Sequence, residues 1–379
     1  MNRIAFLIPG IDRVGGAERQ VMLLARGLAA RGWQVSVVAL SGSGGEAASE
    51  LTAAGVAFAT LEMRKGLADP RGWLRFHRWL QKAAPDIVHA HLPHGRWMAR
   101  ISRLFAPVRV VLDTVHTPYM GGFSQRWTDR ITRGIPDCVT AVSQAVADAC
   151  IAAGVVSPER MIVAPNAVDT QSMRPNPEER VRVRNGLGLT GEFLWLSVAR
   201  LEPVKDLPTL FRALAQLPPS AHLAIAGSGK QESGLRLLAE DLGLASRIRF
   251  LGFQAEIRPW MQAADGFVLS SLWEGLPVSL LEAGACGLPS VATDTAGSHS
   301  ILIEGETGFL AASGSADALR AAMARLMSLS PEGRRAMGLN ARMLVTERFS
   351  LETVLNLWES IYRDLLEHNR SVKRSAGRG

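Results

Sequence analysis

The 379-residue sequence is poor in cysteine. Its three, Cys138, Cys150 and Cys286, are odd in number and far apart. That excludes a disulfide framework and a zinc motif, and points to reduced, structural thiols in a cytosolic protein. No apolar run reaches about 18 residues, so no helix is expected to span a bilayer. The opening stretch MNRIAFLIPGIDRVGG holds a short apolar run but no small-residue cleavage site, and reads as a first strand rather than a signal peptide. Low-complexity segments and internal repeats are absent. With 47% hydrophobic and 20% charged residues, the composition is that of a soluble globular protein.

Acid is scarce in one half only. Residues 1–168 carry 19 Lys and Arg against 12 Asp and Glu, whereas the remainder carries 23 of each, so the formal excess of +7 lies in the first half. Its densest stretch, MRKGLADPRGWLRFHRWLQK (63–82), sets Arg71, Arg75, Arg78 and Lys82 at helical spacing beside Trp73, Phe76 and Trp79. GRWMARISRLF (95–105) repeats the mix with Arg96, Trp97, Arg100, Arg103 and Phe105. Basic, aromatic, amphipathic helices suit an anionic membrane surface; a solvated helix with its aromatics in the core has the same pattern. Nucleic acid is not expected as a partner, because no binding motif for it accompanies the charge.

The length suits two domains. RIAFLIP (3–9), QVSVVAL (34–40), DIVHAH (86–91), RVVLDTVH (109–116), CVTAVS (138–143) and RMIVAPNAVD (160–169) read as strands with helical patterns between them, the first helix being 16–32. Residues 170–192, polar and rich in Pro and Gly, read as a linker. FLWLSVAR (193–200), AHLAIAG (221–227), RIRFLGF (247–253), GFVLSS (266–271) and PSVATD (289–294) repeat the alternation, and a final amphipathic helix occupies about 351–369. Strands alternating with helices make parallel sheets. The reading is an α/β protein of two doubly wound domains, 1–169 and 193–350, facing each other across a cleft, with ligands beyond the carboxyl ends of the strands.

WEGLPVSLLEAGACGLPSVATD (273–294) holds two glutamates in a telling place. Glu274 falls on the loop after GFVLSS. Pro277 suits the first position of a helix that stops at Gly287, and Glu282 falls about one and a half turns in. The free amides in the range Gly275 to Val278, those of Gly275, Leu276 and Val278, form an anion-attracting terminus. One carboxylate there can accept hydrogen bonds from a sugar; the other can grip a vicinal diol such as a ribose. Two glutamates so spaced also occur with no ligand at all. Upstream, SVARLEPVKDLPTL places Arg200 at a strand end and Lys205 where a helix begins, a pair suited to a diphosphate. AIAGSGK (224–230) is a strand and a Gly-rich turn at Gly227, but not a G-x-G-x-x-G nicotinamide fingerprint. PGIDRVGGAER (9–19) opens a helix at Gly16 without the Lys-Ser/Thr of a Walker A loop, which excludes a P-loop ATPase.

Taken together, Gly15-Gly16, APNAVD (164–169), VARLEPVKDL (198–207), AGSGK, FLGF (250–253) and EGLPVSLLEA (274–283) resemble the retaining glycosyltransferases of family 4, in order and over nearly the whole chain. The resemblance implies the GT-B fold, with the nucleotide sugar held by 193–350, the acceptor by 1–169, and the last helix returning to the first domain. Arg200 and Lys205 should hold the diphosphate, Glu282 the ribose, and Glu274 with Gly275 and Leu276 the donor sugar. Gly16 should approach the phosphates, Phe253 should lie by the base, and His116 near the reacting sugar. The sequence departs from the family at Asn166-Ala167, where Asn-Gly is usual, and at Asp206, often Gly.

The implied reaction is transfer of a hexosyl unit from a UDP-sugar, or a GDP-sugar, to a glycan, expected to be lipid-linked, in bacterial surface polysaccharide or glycoconjugate synthesis. The family's retention is usually assigned to front-face attack, in which the departing phosphate oxygen takes the acceptor's proton. No protein nucleophile and no cofactor are expected, and with no Asp-x-Asp in the chain no metal either. His89, His91 and His94 have a spacing that could suggest a metal, but His91 fits the acceptor pocket better. The enzyme is then expected at the inner face of the cell membrane, bound peripherally. A nucleotide-sugar epimerase of the same fold and a non-catalytic nucleotide-binding module are the alternatives.

Overall fold

The computed structural model describes residues 2–376 apart from Arg13, Lys65, Pro107, residues 119–121 and Thr190. Two compact units result. One comprises residues up to Ala167 together with the segment from Leu351; the other is Val168–Ser350.

In the first unit the apolar runs become β1 (Arg3–Ile8), β2 (Gln34–Ala39), β3 (Ala57–Thr60), β4 (Ile87–His91), β5 (Val110–Val115), β6 (Cys138–Ala141) and β7 (Met161–Val163). They form one parallel sheet in the order β3-β2-β1-β4-β5-β6-β7. Helices α1 (Gly16–Ala30), α2 (Gly45–Ala53), α3 (Pro70–Ala83), α4 (Leu92–Ser102), α5 (Phe123–Ile131) and α6 (Gln144–Ala152) lie between the strands in sequence. Along β1 the pleat sends Ile4, Phe6 and Ile8 to one core and Ala5 and Leu7 to another, as alternation in a doubly covered strand requires.

The second unit carries α7 (Pro177–Leu187), β8 (Phe193–Val198), α8 (Leu207–Ala215), β9 (Ala221–Ala226), α9 (Glu232–Asp241), β10 (Ile248–Gly252), α10 (Arg258–Ala263), β11 (Gly266–Leu269), α11 (Val278–Ala285), β12 (Ser290–Thr293), α12 (Ala296–His299), β13 (Gly308–Ala311), α13 (Ala316–Ser328) and α14 (Pro331–Phe349). Its parallel sheet runs β10-β9-β8-β11-β12-β13. Helix α15 (Leu351–Ala376) belongs to the first unit, where Val354, Leu355, Trp358, Ile361, Tyr362 and Leu366 join the core of α1 and β1.

Four readings need correction. The linker is not irregular: α7 lies inside it, capped by Asn176, whose side chain accepts from the amides of Glu178 and Glu179. Arg180 and Arg184 of α7 both bond Asp265, ahead of β11. Second, β3 and β13, four residues each, have no counterpart in the sequence reading. Third, Pro277 is the N-cap of α11, and the helix begins at Val278.

The fourth correction concerns the basic stretch at 95–105. Arg96 and Arg100 of α4 are 3% and 0% exposed, so they offer no charge to a membrane. They meet two equally buried carboxylates. Arg100 bonds Asp113 at 2.7 Å and Asp129 at 3.1 Å, Arg96 bonds Asp129 at 2.9 Å, and Trp97 Nε1 donates to Asp129 at 3.0 Å. Arg103 is bonded to Asp137. The earlier stretch, α3, buries Phe76 and half-buries Trp73 and Trp79 against the core, with Arg75 pinned to the carbonyls of Leu61 and Glu62. The three cysteines are buried and free, their thiols pushed up to about 12, 11 and 12 by burial.

Candidate active site

The strands of the second sheet are all parallel, so the loops leaving β10, β9, β8 and β11 emerge at one edge from neighbouring strands. Those four loops carry Phe253, Gly227, Arg200 with Lys205, and Glu274. The β8 and β11 loops are stitched together. Ser270 Oγ donates to the Lys205 carbonyl at 2.7 Å, the Leu272 amide donates to the Val204 carbonyl at 2.8 Å, and Lys205 Nζ bonds Glu274 Oε1 at 2.6 Å. Ser271 Oγ donates to the same carboxylate oxygen at 2.6 Å. Lys205 and Glu274 side chains are only 17% and 11% exposed, so this ammonium and carboxylate are held in place rather than swinging in solvent. Arg200 is different: it is well exposed and pairs with Glu202 at 2.9 Å.

Close backbone approach explains the glycines. Gly227 has φ +144°, and a Cβ there would sit 1.9 Å from the Ala199 carbonyl oxygen. A Cβ on Gly229 would sit 2.3 Å from the Leu201 carbonyl oxygen, and one on Gly297 2.7 Å from that of Gly275. The loops after β9 and β8 therefore lie flush, and α12 starts against the Glu274–Gly275 turn. Asp206 takes the left-handed conformation, φ +43°, and caps α8 without a side-chain hydrogen bond. That is a position suited to Gly. Glu282 is buried in α11, 7% exposed, and raises the Cys286 thiol after burial has done most of the lifting; it is no surface glutamate.

In the first unit, His116 is half-buried and its Nε2 lies 2.9 Å from His91 Nδ1. Burial, then the Arg96 charge, lowers His116 to about 4. Burial likewise holds His89 and His91 well below the ordinary histidine value. His89 spans Tyr362 Oη at 2.8 Å and Thr114 Oγ1 at 2.6 Å, so both its ring nitrogens are engaged, while His94 is exposed beside Trp97. Among the described residues no group of three or more His, Cys, Asp or Glu is arranged to hold a metal ion. At Gly16 the helix terminus already has a carboxylate: the Gly15 amide donates to Glu18 Oε2 at 3.0 Å. The Asn166-Ala167 turn needs no positive φ, because buried Gln20 clamps both the amide and the carbonyl of Ala167, at 2.7 and 2.8 Å. Ser271, Gly297 and Gln20 were missed in the sequence. Ser271, three residues before Glu274 at a strand end, carried the clearest signal.

Two family models cover this arrangement: "Glycosyltransferase Family 4" over residues 14–172 and "Glycosyl transferases group 1" over residues 180–343. EpsD of Bacillus subtilis (strain 168) is 30% identical over 336 residues, covering 83% of this chain and 87% of EpsD. The UDP-Gal:alpha-D-GlcNAc-diphosphoundecaprenol alpha-1,3-galactosyltransferase of Escherichia coli is 26% identical over 320 residues, covering 79% of this chain and 81% of that enzyme. Anabaena HepE, crystallised with UDP-glucose, matches 96% of this chain and 100% of its own at TM-score 0.86 and 24% identity. The chain belongs to the family 4 type of glycosyltransferases, with the GT-B fold.

Proposed function

We propose that the protein is a retaining hexosyltransferase that takes its sugar from a UDP-sugar and delivers it to a glycan carried on a lipid, working peripherally at an anionic membrane surface. The observation that carries this reading is the fixed Lys205–Glu274 pair at the carboxyl edge of the second sheet, between the Gly227 turn and the start of α11. Lys205 and Arg200 supply fixed positive charge where a diphosphate would acquire negative charge as its bond to the anomeric carbon breaks. Glu274 and the Gly275–Leu276 backbone are assigned to the sugar, and Glu282 to the ribose hydroxyls. Phe253, 60% exposed after β10, borders the base, and Gly16 meets the phosphates. His116, neutral at physiological pH, can accept or donate a hydrogen bond at the sugar without competing for the diphosphate. The departing phosphate oxygen takes the acceptor's proton, so the attack comes from the same face and no protein nucleophile is used. Residues 1–169 with the last helix take the acceptor, and 193–350 the donor.

The UDP and lipid parts are supported by the Escherichia coli relative, whose name specifies UDP-Gal and a diphosphoundecaprenol acceptor, and by HepE, crystallised with UDP-glucose. The test is release of nucleoside diphosphate from UDP-glucose, UDP-galactose, UDP-N-acetylglucosamine and GDP-mannose, with an undecaprenyl diphosphate-linked sugar as acceptor. Product anomers are read by NMR. Turnover of a UDP-sugar with an α-linked product supports the proposal. An inverted product, or turnover of GDP-mannose alone, removes the corresponding part of it.

A further inference from the structure

Helix α5 is inside out. Its inward side is polar: Asp129 is fully buried and bonded to Arg96, Arg100 and Trp97, and Thr132, just past the helix, accepts from Arg100 at 2.7 Å. Its outward side is apolar: Phe123, Trp127 and Ile131, one turn apart, are 81%, 57% and 59% exposed. A surface helix of a soluble protein has the opposite polarity. Arg126, Arg130 and Arg133 stand exposed beside this stripe, and Arg130 is braced on the Ala153 carbonyl at 2.9 Å. Between Thr114 and Pro136 the only acid is Asp129, so the helix shows the solvent no negative charge. Arg103 reaches the Ile135 carbonyl after α5, and the next two residues, Leu104 and Phe105, are also exposed, at 67% and 69%.

We propose that the outer face of α5, Phe123, Trp127 and Ile131 among Arg126, Arg130 and Arg133, is the surface by which the protein docks onto an anionic lipid bilayer. The inference deepens the membrane location proposed above and moves it away from α3. Rings and a branched aliphatic can enter the boundary between headgroups and acyl chains while the arginine heads remain with the phosphates. Charge selects this occupant. A symmetric contact with a second copy would set arginines against arginines, and a neutral apolar partner would leave them without counter-charge. The first unit carries 24 Lys and Arg against 16 Asp and Glu, which adds long-range attraction to the same surface.

The experiment is flotation of the full chain with vesicles of phosphatidylcholine, alone or mixed with phosphatidylglycerol. Binding is expected only with the anionic mixture and to weaken at high salt. Phe123→Ser with Trp127→Ser should abolish it. Arg126→Glu or Arg133→Glu should each weaken it by about fivefold or more, the factor corresponding to one cation at such a surface. Arg71→Glu with Arg78→Glu on α3 should leave at least half. Because the α5 side chains face solvent, melting temperatures should stay at the wild-type value, which separates lost docking from lost folding. As a conservative check, Trp127→Phe should retain flotation and lose part of the tryptophan quenching by brominated acyl chains. Flotation that tracks Arg71 and Arg78 overturns the assignment to α5 and leaves the membrane location standing. No flotation of the wild type overturns both, while sugar transfer to a lipid-free acceptor would still uphold the enzyme. A concentration-dependent dimer in light scattering, lost with Trp127→Ser, would identify a second copy as the occupant instead.

Discussion

Asp129→Ala should be among the most destabilising single changes in the first unit. Arg96, Arg100, Asp113 and Asp129 are 3%, 0%, 0% and 0% exposed, and their two positive and two negative charges balance. Removing one carboxylate strands a guanidinium without counter-charge in the interior, which costs about 3–5 kcal/mol. In a unit of this size each kcal/mol lowers Tm by roughly 2–4 °C, so calorimetry should show a drop of about 6–20 °C. A control is available on the surface. Arg26 and Glu50 form an ion pair with side chains 47% and 48% exposed, and Glu50→Ala should cost only about 0.2–1 kcal/mol. Asp129→Asn combined with Arg96→Met restores the charge balance and should recover part of the loss. If Asp129→Ala melts with Glu50→Ala, the buried cluster does not hold α4 and α5 together, and the argument from uncompensated charge is wrong.

Three further tests bear on the site and its surroundings. Glu282→Ala should weaken UDP binding, whereas Glu274→Ala should leave it nearly intact and lower turnover; Lys205→Met should cost roughly 1.5–3 kcal/mol of diphosphate affinity. Equal losses of affinity for the two glutamate variants in titration calorimetry would end this division of roles. His116, held near 4 when folded, binds a proton more readily when unfolded, at its ordinary value of about 6.5. Its stabilising contribution is therefore full above that value and lost as pH falls from about 6.5 towards about 4; denaturant titrations across this window should show a shallower decline for His116→Gln, and parallel curves would refute the assignment. Asp206→Gly relieves a left-handed conformation without removing a side-chain cap; Tm should hold or rise, and a fall of several degrees would mean the aspartate makes a stabilising contact.

How much was legible depended on the range of the physics involved. β1, β5, β8 and β9 show in the sequence because six-residue stretches dominated by apolar residues, bounded by polar turns, fit little else. β3 (AFAT) and β13 (GFLA) set one or two large apolar residues among small ones, a pattern that does not mark a strand off from its surroundings. That Arg200, Gly227, Phe253 and Glu274 fall on loops after strands was readable, because each follows a mostly apolar stretch. What joins those loops was not: Lys205 and Glu274 lie 69 residues apart. The arginines of α4 show the same limit. Their partners, Asp113 and Asp129, lie 13 to 33 residues away on β5 and α5, so sequence alone gave their sign and spacing but not the direction they face. Helix α7 hides within the linker read at 170–192 because the Pro and Gly signals there are local, whereas Arg180 and Arg184 find Asp265 only in the folded unit.

The return of α15 to the first unit bears on how the chain matures. Trp358 stacks on Tyr362, and both rings pack on His89 of β4. The first sheet therefore lacks part of its covering until the ribosome has made residue 366 or so. Domains ordinarily fold in the order of their synthesis; here Val168–Ser350 is continuous and can close first, leaving the earlier-made unit open. During that interval the apolar side of β1 and α1 that α15 later covers is bare, and a chaperone or a premature stop codon would act on that half. A nonsense mutation near Leu351 would thus spare the second unit, which contains the Lys205–Glu274 pair, and damage the first.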